Sequence, residues 1–169
     1  MTRLIAPFLD RWRLTALLSS VLLLAIAHGF EAFAGLAPCT LCLKQREAYW
    51  AAAAVALAGM ALVRLFRGAG LRRAIDLALA AIFLVGMGLA VYHAGAEWKF
   101  WPGPSTCAVG GGRPSAAAMA ALLNGQPVKG PSCEEAAWVF LGLSMAGWNA
   151  LISLKLAVLS VLAARRERP

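Results

Sequence analysis

The chain has 169 residues, of which 61% are hydrophobic and only 14% charged, and its formal net charge is +8. Soluble domains carry about 25% charged residues, so this composition cannot cover a water-facing surface and points to a membrane protein. A basic excess can signal nucleic-acid binding, but the placement of the charges along this chain argues for no nucleic acid.

Four apolar stretches, approximately residues 14–34, 46–66, 74–94 and 138–162, are each about 20 residues or longer. That length crosses a hydrocarbon core roughly 30 Å thick as a helix. The alanine run Ala51 to Ala54 and the small residues Gly86 and Gly88 allow close helix approach in lipid. Nothing alternates polar and apolar as a barrel strand does. The expected fold class is an all-α membrane protein, a four-transmembrane-helix bundle forming one domain over residues 1–169.

Eleven of the sixteen lysines and arginines flank the chain ends or lie between the second and third stretches, among them Arg11, Arg13, Arg64, Arg72, Arg73, Arg165 and Arg166. The positive-inside rule then places both termini in the cytoplasm. The connections 35–45 and 95–137 face outward, where disulfides persist. The N-terminus also imitates a secretory signal, with Ala32-Phe33-Ala34 before Gly35. Its apolar run is longer than a signal core and contains His28 and Glu31, so the segment is read as a retained span.

The first outer connection holds Pro38-Cys39-Thr40-Leu41-Cys42-Leu43-Lys44-Gln45-Arg46. Two cysteines three apart can close a small disulfide ring. A helix starting near Leu41 would put Cys42 in its first turn, where free N–H groups and the dipole favour a thiolate. Arg46, four residues on, would share that face. A labile sulfur pair beside a fixed cation at a membrane boundary suits electron transfer.

The second outer connection opens with Glu97-Trp98-Lys99-Phe100-Trp101, an interfacial aromatic group. Pro102-Gly103-Pro104 and Gly110-Gly111-Gly112 break regular structure on either side of Cys107, which leaves that thiol expected on an accessible segment. Ser115 to Leu123 reads as a short helix lying on the membrane surface. A Cys107–Cys133 disulfide would close 26 residues and contribute roughly 3–4 kcal/mol on the chain-entropy model. As a staple it would be purely structural; beside a second pair it could exchange. Four cysteines can also hold zinc, but closed zinc sites repeat the C-x-x-C spacing and here it occurs once, so no metal is expected.

The Cys39 segment resembles the P-C-x-L-C-x-x-Q-R signature of the bacterial disulfide-bond formation (DsbB) family. Trp101-Pro102-Gly103-Pro104-Ser105-Thr106-Cys107 and the stretch from Cys133-Glu134-Glu135 through Gly147-Trp148-Asn149 are similar to that family too. The resemblance covers essentially the whole chain, including cysteine order. In the vitamin K epoxide reductase-like proteins, which do similar chemistry, the C-x-x-C pair comes after the loop cysteines rather than before.

The resemblance implies a bacterial inner-membrane thiol:quinone oxidoreductase that reoxidises a periplasmic DsbA-type dithiol oxidase and reduces ubiquinone or menaquinone. It implies catalytic roles for Cys39, Cys42, Cys107 and Cys133. Cys107 is attacked by the partner, Cys133 or Cys107 exchanges with the Cys39–Cys42 disulfide, and Cys42 meets the quinone as a thiolate. It implies cofactor-binding roles for Arg46 and His93, whereas Lys44 stands where an apolar or aromatic residue is expected. The alternative class is a non-enzymatic membrane scaffold with a disulfide-stapled outer loop.

Overall fold

The computed structural model describes residues 7–66, 68–108, 119–120, 123–124 and 132–167. Four long helices dominate: α1 (Trp12–Phe33), α2 (Thr40–Leu65), α3 (Ala69–Glu97) and α5 (Met145–Arg166). A single helical turn, α4 (Ser105–Ala108), and a hairpin of β1 (Val139–Phe140) and β2 (Leu143–Ser144) lie between α3 and α5. Each long helix is long and apolar enough to cross a bilayer. The four-helix membrane architecture expected from composition is therefore present.

The packing is the reverse of a water-soluble bundle. Leu18, Leu22, Leu57 and Val85 point outward, whereas Ala16, Ser20, Ala52, Ala56, Ala90, Ser153, Ser160 and Ala164 are buried. Lipid offers no hydrophobic drive for burying leucine, so small residues that let backbones approach take the interior. Gly86 shows the constraint: a Cβ there would meet the Ala48 Cβ at 3.4 Å and the Ser153 Oγ at 3.7 Å. Trp12, Leu79 and Phe83 fill the remaining volume, and the Trp12 indole N–H donates to the Ser160 hydroxyl at 3.1 Å.

One helix start agrees with the sequence expectation and one differs. α2 begins at Thr40, next to the start expected near Leu41 and ahead of the apolar stretch 46–66, because extended Cys39 caps it: the Cys39 Sγ accepts the Cys42 N–H at 3.2 Å. Polar Lys44, Gln45 and Glu47 belong to the first turns of that helix, Lys44 and Glu47 exposed and Gln45 buried, a stretch that hydropathy alone counts as loop. The fourth span begins at Met145, not Trp138. Leu141 (φ 50°) and Gly142 (φ 78°) turn the apolar run back on itself, with Val139 opposite Ser144 and Phe140 opposite Leu143. Positive φ at both central residues is what a two-residue hairpin of type I′ requires. Ser144 then caps α5, its Oγ accepting from Gly147 N–H at 3.1 Å. The surface helix expected over 115–123 lies largely outside the described residues.

At the end of the bundle away from the cysteines, charges tie three helices together. Both oxygens of Asp76 accept from Arg13 at 3.0 Å, and Asp76 is fully buried. Glu167 accepts from Arg13 at 3.3 Å and also pairs with Arg72. Removing one member of a buried pair strands the other and costs about 3–5 kcal/mol. Asp76→Ala should therefore lower the thermal unfolding midpoint in detergent markedly, and Asp76→Leu combined with Arg13→Met should recover much of the loss. Unfolding followed by circular dichroism checks both.

Candidate redox site

The α2 N-terminus, the α3 C-terminus and the outer loop converge on four sulfurs. Pro38 cannot donate a backbone hydrogen bond and fixes φ, which sets an extended entry into α2. Cys39 is thereby placed at the N-cap, and one turn of helix brings the Cys42 Sγ to 2.8 Å from the Cys39 Sγ. Both are free thiols, Cys39 buried and Cys42 half-buried. Cys107 and Cys133 form a disulfide with a Cα–Cα distance of 5.7 Å.

The loop between α3 and α5 is pinned so that this disulfide sits on the thiol pair. Glu134 accepts the Gly103 N–H at 2.9 Å through its carboxylate, and its backbone carbonyl accepts from the Lys99 ammonium at 2.7 Å. Trp101 donates its indole N–H to the Tyr92 carbonyl at 2.9 Å and stacks on the Tyr92 ring. It lies so close over Gly95 that any Cβ there would collide with the indole. Cys133 is fully buried and packs with Cys39, Leu41 and Cys107. The Cys39 Sγ, the Cys133 Sγ and a ring nitrogen of His93 all lie within 4.8 Å of one another.

Cys107, expected on an accessible segment, is 8% exposed, against 0% for Cys133. The turn α4, in which the Cys107 N–H bonds to the Pro104 carbonyl at 2.8 Å, tucks it against the first pair. It remains the more exposed sulfur of its disulfide.

His93 is buried and faces the sulfurs: its Nε2 is 3.6 Å from the Cys39 Sγ, and its Nδ1 is 2.8 Å from the Gln45 Nε2. Arg46 lies on the other side of α2 and reaches across to α1. Its guanidinium donates to Glu31 at 2.6 Å and to the Ala27 carbonyl at 3.1 Å, with the His28 Nδ1 at 3.5 Å. Lys44 is turned away toward solvent and pairs with Glu47 at 2.9 Å. Its extra charge is therefore spent outside the sulfur cluster.

The dithiol is electrostatically asymmetric. The helix N-terminus was expected to favour a thiolate at Cys42, but the capping geometry gives that benefit to Cys39. The hydrogen bond from the Cys42 thiol holds the Cys39 thiol down at about 4 from an ordinary 9.0; His93 and the Cys42 N–H act the same way, and burial opposes them. Such lowering contributes stability to the reduced form that is fully present above pH 9 and is lost as pH falls through about 4. A stabilised reduced form makes a pair more oxidising.

Sequence reasoning missed four residues here. Gln45 and Tyr49, both buried, and half-buried Asn149 form a hydrogen-bonded chain behind His93, and Glu97 places Oε1 3.7 Å from the His93 Nε2. A polar residue every fourth position, Leu41 aside, on an otherwise apolar α2 face (Gln45, Tyr49) was the available signal. Cys39, His93 and Cys133 also have the separation of a metal trio. As it stands, however, Cys133 is bonded to Cys107, so the trio offers one thiolate, which is poor provision for zinc.

An ultraviolet titration of thiolate absorbance in the reduced protein tests the asymmetry. One thiolate should persist from neutral pH down to about 4, and Cys42→Ala, which removes the largest cause, should move that transition upward.

The chain matches known proteins over this whole unit. The family model described as disulfide bond formation protein DsbB matches residues 10–163. Proteins named Disulfide bond formation protein B from Aromatoleum aromaticum and Marinobacter nauticus are 32% and 36% identical to it. Those alignments cover 79% and 82% of this chain and the same shares of the relatives. The Pasteurella multocida protein of that name is 30% identical over 89% of this chain and 85% of its own length. No solved structure matches the chain. With the four spans, the cysteine order and the paired sulfurs, these matches show that the chain belongs to the DsbB family of disulfide bond formation proteins.

Proposed function

We propose that the protein is a protein dithiol:quinone oxidoreductase of the bacterial inner membrane, with its sulfurs on the periplasmic side. It reoxidises a DsbA-type thioredoxin-fold oxidase and delivers two electrons to ubiquinone or menaquinone. The observation that carries this reading is the approach of the Cys133 Sγ to within 4.8 Å of the Cys39 Sγ. That approach couples a loop disulfide, whose Cys107 keeps 8% exposure, to a thiol pair at the mouth of a membrane bundle.

The exchange steps balance as follows. A partner thiolate attacks the Cys107 Sγ, the Cys107–Cys133 bond breaks, and Cys133 leaves as a thiolate. Cys133 attacks the Cys39 Sγ of a Cys39–Cys42 disulfide, and Cys42 leaves as a thiolate. The second partner thiol then displaces Cys107, and the partner departs oxidised. Cys107 attacks Cys133 and releases Cys39. The products are a Cys107–Cys133 disulfide and a reduced Cys39/Cys42 pair, the arrangement the structure contains. Cys133 is the sulfur that exchanges with the inner pair because it, not Cys107, shares the trio with Cys39 and His93.

The residues present suit a quinone. Cys42 is the half-exposed sulfur of the inner pair, and Arg46 follows it by one helical turn with a guanidinium held by Glu31. When bound, the quinone supplies a two-electron, two-proton acceptor. Arg46 would hold it by a charge-assisted hydrogen bond and would stabilise the Cys42 thiolate once Cys39 is engaged with Cys133. His93 serves Cys39 from the buried side. A partner as oxidising as DsbA, around −120 mV, cannot be reoxidised by an ordinary structural disulfide, which is why the asymmetric, thiolate-stabilising pair matters.

The test is a purified-protein assay with a quinone and a reduced DsbA-type partner. Cys107→Ser should abolish partner oxidation while dithiothreitol still drives quinone reduction. Cys42→Ser should abolish both. Absence of thiol-dependent quinone reduction in the unaltered protein would instead identify a scaffold. Arg46→Gln should raise the KM for quinone about tenfold or more and leave the KM for the partner nearly unchanged.

A further inference from the structure

Behind the sulfur cluster runs a chain of directed hydrogen bonds. Tyr49 donates its hydroxyl to the Asn149 Oδ1, Asn149 donates Nδ2–H to the Gln45 Oε1, and Gln45 points Nε2 at the His93 Nδ1 at 2.8 Å. The Gln45 amide cannot be reversed without loss, because its Nε2 also donates to the Leu41 carbonyl at 3.3 Å. Reversal would set two carbonyl oxygens against each other and an N–H against the Asn149 N–H. An imidazole that accepts at Nδ1 must carry its proton at Nε2 when neutral. That nitrogen is the one 3.6 Å from the Cys39 Sγ.

We infer that Gln45 is a positioning residue: held by Leu41, Asn149 and Tyr49, it locks His93 as the Nε2–H tautomer and so provides Cys39 with a fixed hydrogen-bond donor. The inference rests on the thiol-exchange reading for its purpose but not for its geometry. A tautomer chosen by a partner on the far ring nitrogen is a recognised way of tuning histidine. Here the amide, being uncharged, orients the ring without adding a charge that would compete with the thiolate. Cys39 is the sulfur released when Cys107 reclaims Cys133, so a donor aimed at it assists that departure.

Several groups face Cys39 and bear on its titration. Cys42 lies on α2 with Arg46 beyond it, His93 faces it from α3, and Glu97, also on α3, lies beside His93. Cys133, from the loop, is disulfide-bonded and does not titrate. Glu97 is buried, with Oε1 3.7 Å from the His93 Nε2 and Oε2 without a hydrogen-bond partner among the described residues. It is a second acceptor for the same N–H and belongs in the test.

The experiment is ¹⁵N NMR of histidine-labelled, reduced protein near pH 7, where the two ring nitrogens distinguish the tautomers directly, paired with the thiolate titration of Cys39. The unaltered protein should show His93 protonated at Nε2 only; an Nδ1–H tautomer there overturns the inference without any variant. Gln45→Leu should give a tautomer mixture and about a tenfold smaller acid dissociation constant for Cys39, the loss of a fixed hydrogen bond to a charged sulfur. Asn149→Ala, which keeps Gln45 but frees its carbonyl, should move both readouts in the same direction and serves if Gln45→Leu does not fold. Glu97→Gln should leave the tautomer at Nε2. Unchanged NMR and titration in both the Gln45 and Asn149 variants would also overturn it. Neither readout uses quinone or partner, so failure of the proposed oxidoreductase activity would be seen separately.

Discussion

The whole arrangement depends on one short sulfur-to-sulfur approach, Cys133 against Cys39, made between a polar loop and a lipid-embedded bundle. Thiol exchange requires contact: a thiolate must reach along the axis of the bond that it breaks. A loop of more than 30 residues would spend little time there unless something held it. What holds it is a set of local contacts: Glu134 on Gly103 and Lys99, and Trp101 on Tyr92 and Gly95. The burial of Cys133 follows from the same packing. Burial of a structural disulfide is ordinary; its burial beside a free thiol pair is the feature on which the proposed relay rests.

The two ends of the bundle solve different problems with the same currency of charge. At one end Arg13, Asp76, Arg72 and Glu167 neutralise each other and fix the helices. At the other end the charges are kept apart. Arg46 stands on the α1 side of α2, His93 stands on the α3 side, and each addresses a different sulfur. The inner pair can therefore stabilise negative charge at Cys39 when reduced and at Cys42 when Cys39 is linked elsewhere. In the proposed relay, stabilising whichever sulfur must leave would lower the cost of each exchange.

Much of this was legible from the residues. Composition and span length required four membrane helices, because nothing else could cover so apolar a chain. Cys39-x-x-Cys42 followed by Arg46 announced a sulfur pair beside a cation. The start of α5 was not legible from hydropathy, since Trp138 to Leu143 is as apolar as a span. Only the positive φ of Leu141 and Gly142 separates the hairpin from the helix, and hydropathy carries no information on φ. Nor was the choice of Cys39 as the favoured thiolate legible. That depends on whether the helix begins one residue before or after the first cysteine, finer than any sequence pattern resolves. Asp76 was hidden inside an apolar run, because its partner Arg13 is remote in sequence.

The buried polar chain from Tyr49 to His93 raises a question of energetics that the membrane sharpens. Amide and hydroxyl groups inside a bundle cost several kcal/mol if unpaired, and simpler apolar residues would pack as well. Their retention makes physical sense where they do something apolar residues cannot. Each group in the chain has one orientation that satisfies its neighbour, and the last neighbour is an imidazole whose two tautomers are nearly equal in free energy. A small, directed bias therefore suffices to choose between them. On the inference drawn above, the choice is made on α2 and α5 by Gln45 and Asn149 and is expressed at the Cys39 Sγ, 3.6 Å from the His93 Nε2. In the proposed relay, exchange at the loop disulfide would then be conditioned by residues a turn or more deeper in the bundle, through proton position rather than movement of the backbone.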